Sequence, residues 1–167
     1  MNKNIVLIGF MGSGKSMIAR QLGQRLKVEV VATDRLIEAK EGQAIDEIFK
    51  SKGETYFRNI ERDIIKDVSL RRGIVIDCGG GVVCVKENLQ NLKTNGIVFY
   101  LQATPEVIYQ RIKHESHRPL LKVSDPLGHI KELYQHRLPL YNQADYVIDA
   151  NDASIEGPVA EILKKIL

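Results

Sequence analysis

Gly-Phe-Met-Gly-Ser-Gly-Lys-Ser, residues 9–16, is the stretch of this sequence that decides the fold. It has the spacing G-x-x-x-x-G-K-S and follows the apolar run of residues 5–8. From Ile18 onward, apolar residues recur at helical spacing. Glycines let such a turn point successive backbone N–H groups inward, and the following helix adds its positive end. The stretch therefore predicts a phosphate-binding loop, a P-loop, between a first strand and a first helix.

The residues of this loop have separate expected roles in binding ATP with Mg²⁺. Lys15 is expected to reach the β- and γ-phosphates, and the Ser16 hydroxyl is expected to bind Mg²⁺. Further contacts to ATP are expected from Gly12, Ser13, Gly14 and Met17. The alternative is a glycine-rich turn that binds nothing, although chance produces the four fixed positions in roughly one such chain in 200.

Composition is typical of a small globular enzyme. The 167 residues are 44% apolar and 27% charged, which predicts a single domain over residues 1–167. A net charge of +3 suits anionic substrates and is too small to predict nucleic-acid binding. Cys78 and Cys84 predict neither a zinc site nor a disulfide, and no apolar run approaches the ~20 residues that span a membrane. We therefore expect a cytoplasmic monomer without a signal peptide.

Short apolar runs alternate with longer amphipathic segments along the chain. Strands are predicted over residues 4–8, 28–31, 74–77, 97–101 and 146–149. Helices are predicted over residues 15–27, 33–50 with a break near Gly42, 54–71, 85–95, 104–113, 126–142 and 154–167. This alternation is typical of βαβ units with apolar strands covered on both faces. The sequence therefore predicts an α/β fold of three layers, αβα, with a five-stranded parallel sheet.

Residues 112–125 interrupt this pattern with charged residues and little periodicity. Pro119 lies in the segment and Pro126 follows it, and no long apolar face is evident that would anchor it. Loops of about a dozen residues in compact domains are usually functional or disordered. Beside a P-loop, we expect a lid that closes over ATP and brings the Arg118 cation to the transferring phosphoryl group. A solvated surface loop is the alternative.

Four further motifs follow the P-loop. They are Gly-Glu-Thr-Tyr-Phe-Arg-Asn-Ile-Glu at residues 53–61, Gly-Gly-Gly at 79–81, Arg-Pro-Leu-Leu at 118–121 and Arg-Leu-Pro-Leu-Tyr at 137–141. With these motifs in this order, the chain resembles the shikimate kinases over essentially its whole length. The resemblance implies a fold like that of nucleoside-monophosphate kinases. It also implies Mg²⁺-dependent phosphorylation of the 3-hydroxyl of shikimate by ATP, in aromatic amino acid biosynthesis.

The chemistry of these motifs fits a small carboxylate that carries hydroxyl groups. Arg58 and Arg137 offer planar guanidinium groups suited to bidentate carboxylate binding. Asp34 can accept from a hydroxyl and act as a general base toward it. Backbone N–H groups of the 79–81 turn can approach a ligand because glycine has no Cβ. The expected catalytic residues are Lys15, Asp34 and Arg118.

The resemblance implies that shikimate binds within and beside residues 33–61. Glu61 is implied to orient Arg58, and the residues implied to surround the substrate are Asp34, Phe49, Phe57, Arg58, Glu61, Gly79, Gly80, Gly81 and Arg137. Each has an alternative that needs no ligand. Arg58 could pair with Glu54 and Glu61 on its own helix, Asp34 could cap a helix, and the Phe residues could be ordinary core.

The resemblance also places the adenine of ATP. Arg111 matches a family position that stacks on adenine. The opposite wall is expected from the loop at residues 151–154, with Ser154 as the contact.

Two positions depart from the family pattern. Ala32 stands where the family has the first Asp of Asp-x-Asp, which acts on magnesium, and Met17 stands where it has Ser or Thr. Asp77 ends the strand 74–77 as a Walker B carboxylate would, and could serve magnesium through water in place of the missing Asp. Alternatively, Asp77 only accepts hydrogen bonds from the adjacent backbone.

Three functions are compatible with these residues. They are an active shikimate kinase, a kinase of the same fold acting on another acceptor such as gluconate or a nucleotide, and a non-catalytic protein that binds shikimate and ATP. Because both halves of the site are present, we favour the active shikimate kinase.

Overall fold

The computed structural model describes residues 2–166 and contains one five-stranded sheet. The strands are β1 (Asn4–Ile8), β2 (Val30–Ala32), β3 (Val75–Asp77), β4 (Gly96–Gln102) and β5 (Tyr146–Asp149). They pair in the order β2-β3-β1-β4-β5, and every pair is parallel. The predicted parallel sheet is confirmed. Sequence and structure agree on the bounds of β1 and β5, whereas β2 begins and ends later than predicted.

Seven helices connect or follow these strands within residues 2–166. They are α1 (Lys15–Leu26), α2 (Thr33–Glu41), α3 (Ile45–Ser69), α4 (Lys86–Asn95), α5 (Pro105–Ile112), α6 (Pro126–Tyr141) and α7 (Glu156–Ile166). Two 3₁₀ turns, Val82–Cys84 and Pro119–Leu121, were not predicted. Met1 and Leu167, the ends of the predicted domain, lie outside the described residues.

The largest difference from the predicted elements concerns α3. The predicted break near Gly42 is present, because Gly42 ends α2 with φ 64°. The predicted break before residue 54 is instead a kink inside α3, where Gly53 has φ 82° and ψ 172°. Glycine adopts this backbone conformation at little cost, so the chain bends and then resumes the helix.

The core lies on both faces of the sheet, as the three-layer prediction requires. Alternate residues of β1 point to opposite faces: Ile5 and Leu7 pack with α1 and α7, while Val6 and Ile8 pack with α3, α4, α5 and α6. A smaller cluster of Ile37, Ile48 and Phe57 joins α2 to α3. No helix within residues 2–166 is long and apolar enough to cross a bilayer.

The strand register brings the ends of three strands to one place. Asp77 of β3 is paired with Leu7 of β1 on one side and with Ala32 of β2 on the other. β1 leads into the P-loop, β2 leads directly into α2, and β3 leads into the 79–81 turn. All three therefore begin at one edge of the sheet, where ligands of open parallel sheets bind.

Candidate active site

The P-loop folds around its own lysine. Gly12 and Gly14 adopt positive φ angles of 75° and 92°, and α1 begins directly afterwards. The Lys15 side chain is 8% exposed, and its Nζ donates to the carbonyl oxygens of Gly9 (2.8 Å) and Phe10 (3.0 Å). Burial lowers the pKa of Lys15, while the nearby carboxylates of Asp77 and Asp34 oppose that shift.

Asp77 contacts the P-loop hydroxyl. Ser16 Oγ donates to Asp77 Oδ2 at 2.6 Å, and the Asp77 side chain is buried at the end of β3. Of the two roles considered for Asp77, the structure therefore supports the one beside the P-loop. A hydroxyl and a carboxylate at this spacing are ligand types that suit Mg²⁺ or its water shell.

A cavity of about 720 Å³ opens above this contact. Its lining contains the three expected catalytic residues, Lys15, Asp34 and Arg118. The rest of the lining comes from the P-loop, the end of β2, the segment that follows β3, the end of α5 and the lid. One cavity thus brings together P-loop, candidate base and lid cation, which the sequence placed far apart.

Asp34 lies in the first turn of α2, is half-buried and lines this cavity. Ala32 is the N-cap of α2, so the alternative in which Asp34 caps the helix is wrong. Across the described part of the chain, Oδ1 of Asp34 has no hydrogen-bond partner. Burial raises the pKa of Asp34, and Lys15 partly opposes that shift.

The glycines of the 79–81 turn lie close to two charged side chains, and one of their N–H groups is used within the protein. The Gly79 N–H donates to Thr33 Oγ1 at 3.2 Å and is already used within the protein. A Cβ at Gly79 would lie 2.4 Å from Asp34 Oδ1, and one at Gly81 would lie 2.3 Å from Arg58 Nη2. A side chain at Gly79 or Gly81 would therefore displace the charged end of Asp34 or Arg58.

Arg58 forms the ion pairs with Glu54 and Glu61 that were considered for it, and it also contacts the 79–81 turn. Its Nη1 donates to Glu61 Oε1 (2.8 Å) and to the Gly81 carbonyl (3.1 Å), and its Nε lies 3.5 Å from Glu54 Oε1. Glu61 is 1% exposed, and burial raises its pKa against the effect of Arg58. The intrahelical ion pairs hold the guanidinium against the turn, so they orient Arg58 as the resemblance implied.

Phe49 and Phe57 pack on each other, and Phe57 lies beside Arg58. Their ring centroids are 4.6 Å apart, and the Arg58 guanidinium lies 5.2 Å from the Phe57 ring. Phe57 is buried among Ile37 and Ile48, so it is a core residue, while Phe49 is only half-buried. Phe49 therefore remains the better candidate for a wall of the substrate site.

Helix α6 brings Arg137 close to Phe10 in the P-loop. Its guanidinium lies 5.6 Å from the ring of Phe10 in the P-loop. Arg137 Nε is buried and has no hydrogen-bond partner within residues 2–166. One turn later, the Tyr141 hydroxyl donates to the Gly80 carbonyl. Sequence reasoning missed Tyr141, although it ends the motif that begins with Arg137.

Arg111 fixes the P-loop to the loop after β5. Its guanidinium donates to the Gly12 carbonyl (3.2 Å) and to the carbonyls of Ala150 (2.7 Å), Asn151 (3.1 Å) and Asp152 (2.8 Å). A second cavity, about 80 Å³, lies beside this contact and is lined in part by Arg111 and Ser154. The two residues expected at adenine therefore share one cavity next to the P-loop.

The lid is better anchored than the sequence suggested. Leu120 and Leu121, in its 3₁₀ turn, are partly buried and pack against the core, so two apolar residues anchor the segment, and its closure over ATP stays a prediction. Arg118 forms an ion pair with Glu115, and both side chains line the large cavity. Arg118 therefore lies in the same cavity as the P-loop residues.

This P-loop, with a carboxylate on the neighbouring strand and a cation on a lid, defines a phosphoryl-transfer enzyme of the αβα P-loop class. A family model described as shikimate kinase matches residues 11–167. The chain therefore belongs to the shikimate kinase family, and the resemblance seen in the sequence is confirmed.

Relatives and solved structures agree over nearly the whole chain. The shikimate kinase of Thermodesulfovibrio yellowstonii is 44% identical over 163 residues, which cover 98% of this chain and 94% of the relative. The shikimate kinase of Acinetobacter baumannii, solved in complex with shikimate, aligns with a TM-score of 0.93 at 36% identity, covering 98% and 92%. The Aquifex aeolicus enzyme aligns at 0.85 and 37%, covering 98% and 95%.

The buried carboxylate of Asp34 predicts a variant that gains stability and loses activity. Because the pKa of Asp34 is raised in the folded state, its charge opposes folding at neutral pH, and this cost disappears as the pH falls toward the ordinary value of 3.8. Asp34→Asn should therefore raise the midpoint of thermal unfolding at pH 7, by an amount that shrinks toward pH 4. It should also abolish most phosphoryl transfer.

The matched control is Asp67→Asn, which changes an exposed carboxylate of α3. It should leave the unfolding midpoint and the activity nearly unchanged. A lower midpoint for Asp34→Asn than for the unchanged chain at pH 7 would contradict the assignment.

Proposed function

We propose that this chain transfers the γ-phosphoryl group of ATP to the 3-hydroxyl of shikimate, giving shikimate 3-phosphate and ADP. The observation that carries the proposal is the cavity lined by Lys15, Asp34, Arg118 and two glycines of the 79–81 turn, with Arg58 bonded to the Gly81 carbonyl of the same turn. The similarity to an enzyme solved with shikimate supports the same substrate. The single domain, the cytoplasmic location and the monomeric state remain predictions.

The two substrate arginines suit a carboxylate. Arg58 and Arg137 both act on Glu61 and on Tyr141, so the two guanidinium groups lie in the same part of the site. A planar guanidinium can bind a carboxylate through paired, charge-assisted hydrogen bonds from its Nη atoms. In the proposed complex, the substrate carboxylate faces these arginines and a ring hydroxyl faces Asp34.

Asp34 then acts on the attacking hydroxyl. Its carboxylate accepts a hydrogen bond from the hydroxyl, orients it toward the γ-phosphorus and takes up its proton as the bond to phosphorus forms. Lys15 exchanges its contacts with the Gly9 and Phe10 carbonyls for the β- and γ-phosphates. Arg118 stabilises the charge that spreads over the transferring oxygens.

Magnesium fits the residues at the end of β3. Ser16 and Asp77 would hold the ion, directly or through water, because a hydroxyl and a carboxylate are suitable oxygen donors and lie 2.6 Å apart. Bound with ATP, the ion would neutralise charge on the β- and γ-phosphates. Ala32 is paired with Asp77 across the sheet, so we propose that Asp77 supplies the carboxylate that Ala32 lacks.

The two other functions make different predictions in one assay. Shikimate-dependent release of ADP in the presence of Mg²⁺ would support the proposed reaction, and gluconate or a nucleoside monophosphate should not replace shikimate. Lys15→Ala is the control and should abolish the release. Binding of ATP and shikimate without ADP release would indicate a non-catalytic relative, and release with another acceptor would indicate a different kinase.

The arginines provide a test of the carboxylate site. Arg137→Ala should weaken shikimate binding by on the order of 2–5 kcal/mol and leave the KM for ATP nearly unchanged, because a charge-assisted contact is lost. The measurement is the KM for each substrate, with calorimetric binding of shikimate. Arg58→Ala is best made together with Glu61→Gln, since Glu61 would otherwise remain buried without its partner. An unchanged KM for shikimate in Arg137→Ala would contradict the assignment.

The role proposed for Asp77 predicts a change in the magnesium requirement. Asp77→Ala should raise the Mg²⁺ concentration for half-maximal activity by about tenfold, because one oxygen ligand or its water contact is lost. Calorimetry should show that the variant binds ATP without Mg²⁺ as the unchanged chain does, but gains less affinity when Mg²⁺ is added.

A second variant tests whether position 32 can restore that carboxylate. Adding Ala32→Asp to Asp77→Ala should recover much of the magnesium affinity, since the two positions are paired neighbours. Folded Asp77→Ala protein with a normal magnesium requirement would show that Asp77 does not serve the ion.

A further inference from the structure

The Gly80 carbonyl accepts a hydrogen bond from a residue to which neither the sequence nor the proposed reaction gives a role. Tyr141, the last residue of α6, is fully buried, and its hydroxyl donates to that carbonyl. Its ring stacks on Tyr100 of β4, with centroids 4.9 Å apart and an angle of 11° between the rings. Packing on the sheet thus fixes the ring, and the ring fixes the place of the hydroxyl.

Tyr141 is bonded to the 79–81 turn, which lies between the candidate base Asp34 and the candidate cation Arg58. Gly79 passes against Asp34 and Gly81 against Arg58, so a Cβ at either position would push the end of that side chain away. The Gly81 carbonyl also accepts a hydrogen bond from Arg58 Nη1. A shift of a few tenths of an ångström in this turn therefore changes where both side chains lie.

Two hydrogen bonds fix the turn from opposite sides. Thr33, next to the candidate base, accepts from the Gly79 N–H, and Tyr141 donates to the Gly80 carbonyl. Thr33 belongs to α2 and Tyr141 to α6. The turn is thus held between the helix that carries Asp34 and the helix that carries Arg137.

Arg137 and Tyr141 are four residues apart on α6, so they lie on the same face of the helix. The Arg137 guanidinium is close enough to the Tyr141 hydroxyl to perturb it, although burial still raises the pKa of Tyr141 to about 12. The hydroxyl therefore stays protonated at neutral pH and remains a donor to Gly80.

We propose that Tyr141 is a positioning residue for the acceptor substrate. It acts through the glycine turn, keeps Arg58 and Asp34 at their separation, and places Arg137 relative to both. This role rests on the proposed binding of shikimate by these residues. It predicts an effect on the acceptor and not on the nucleotide, because the P-loop is held by other contacts, such as those of Arg111.

The test is Tyr141→Phe, with Tyr134→Phe as the matched control. Tyr134 also lies on α6, is 8% exposed, and uses its hydroxyl in a buried hydrogen bond of 3.1 Å with the Tyr100 hydroxyl. Each substitution keeps an aromatic ring and removes one buried hydroxyl from the same cluster. The control therefore reproduces the structural cost without touching the turn.

The loss of one such hydrogen bond should raise the KM for shikimate in Tyr141→Phe by about tenfold. The calorimetric dissociation constant of shikimate, measured without ATP, should rise by a similar factor. The KM for ATP should stay within about twofold of its original value, and Tyr134→Phe should leave both KM values within that range.

Other results would overturn the proposal. They are an unchanged KM for shikimate in Tyr141→Phe, equal changes in both variants, a parallel rise in the KM for ATP, or a far larger loss of thermal stability than in Tyr134→Phe. Absence of shikimate-dependent ADP release in the unchanged chain is a separate result, which would overturn the proposed function and this role together.

Discussion

The closeness with which the 79–81 turn passes Asp34 and Arg58 is the constraint on which the rest of the site depends. A Cβ at Gly79 or Gly81 would lie within about 2.4 Å of a charged atom, so the backbone itself fills the space between the two side chains. The turn thus limits how closely the candidate base and the candidate cation can approach each other. Because the turn directly follows β3, the sheet register also fixes where Asp77 meets the P-loop.

Several charges are buried in this site, and their protein contacts differ in kind. Arg58 and Glu61 pair with each other, and Lys15 is held by two carbonyl oxygens, whereas Asp34 Oδ1 has no partner in the described chain. Burying a carboxylate in this way costs stability, and the cost is recovered where a ligand hydroxyl can donate to it. Asp34 lines the cavity, so its carboxylate is the group that an acceptor hydroxyl would approach in the proposed complex.

The P-loop half of the site could be predicted from the sequence more fully than the contacts around the 79–81 turn and the lid. The P-loop and the alternation of strands and helices are local patterns, and they gave the fold and the place of Lys15 and Ser16. The kink at Gly53 was misread because a glycine in a helical pattern is compatible with either a break or a bend. The contacts of Tyr141 with Gly80 and of Arg118 with Glu115 depend on tertiary packing and on side-chain pairing. Neither leaves a periodic signal in the chain.

The pairing of Arg118 with Glu115 bears on how the lid works in the proposed reaction. Both side chains line the cavity, so the cation reaches the phosphate site with a carboxylate already bound to it. An arginine that exchanges a carboxylate for phosphoryl oxygens keeps a charged partner throughout, and closure need not bury an unpaired guanidinium. Leu120 and Leu121 pack against the core, which limits how far the segment can move. In the proposed reaction we therefore expect closure to be an exchange of partners by Arg118 rather than the ordering of a free loop.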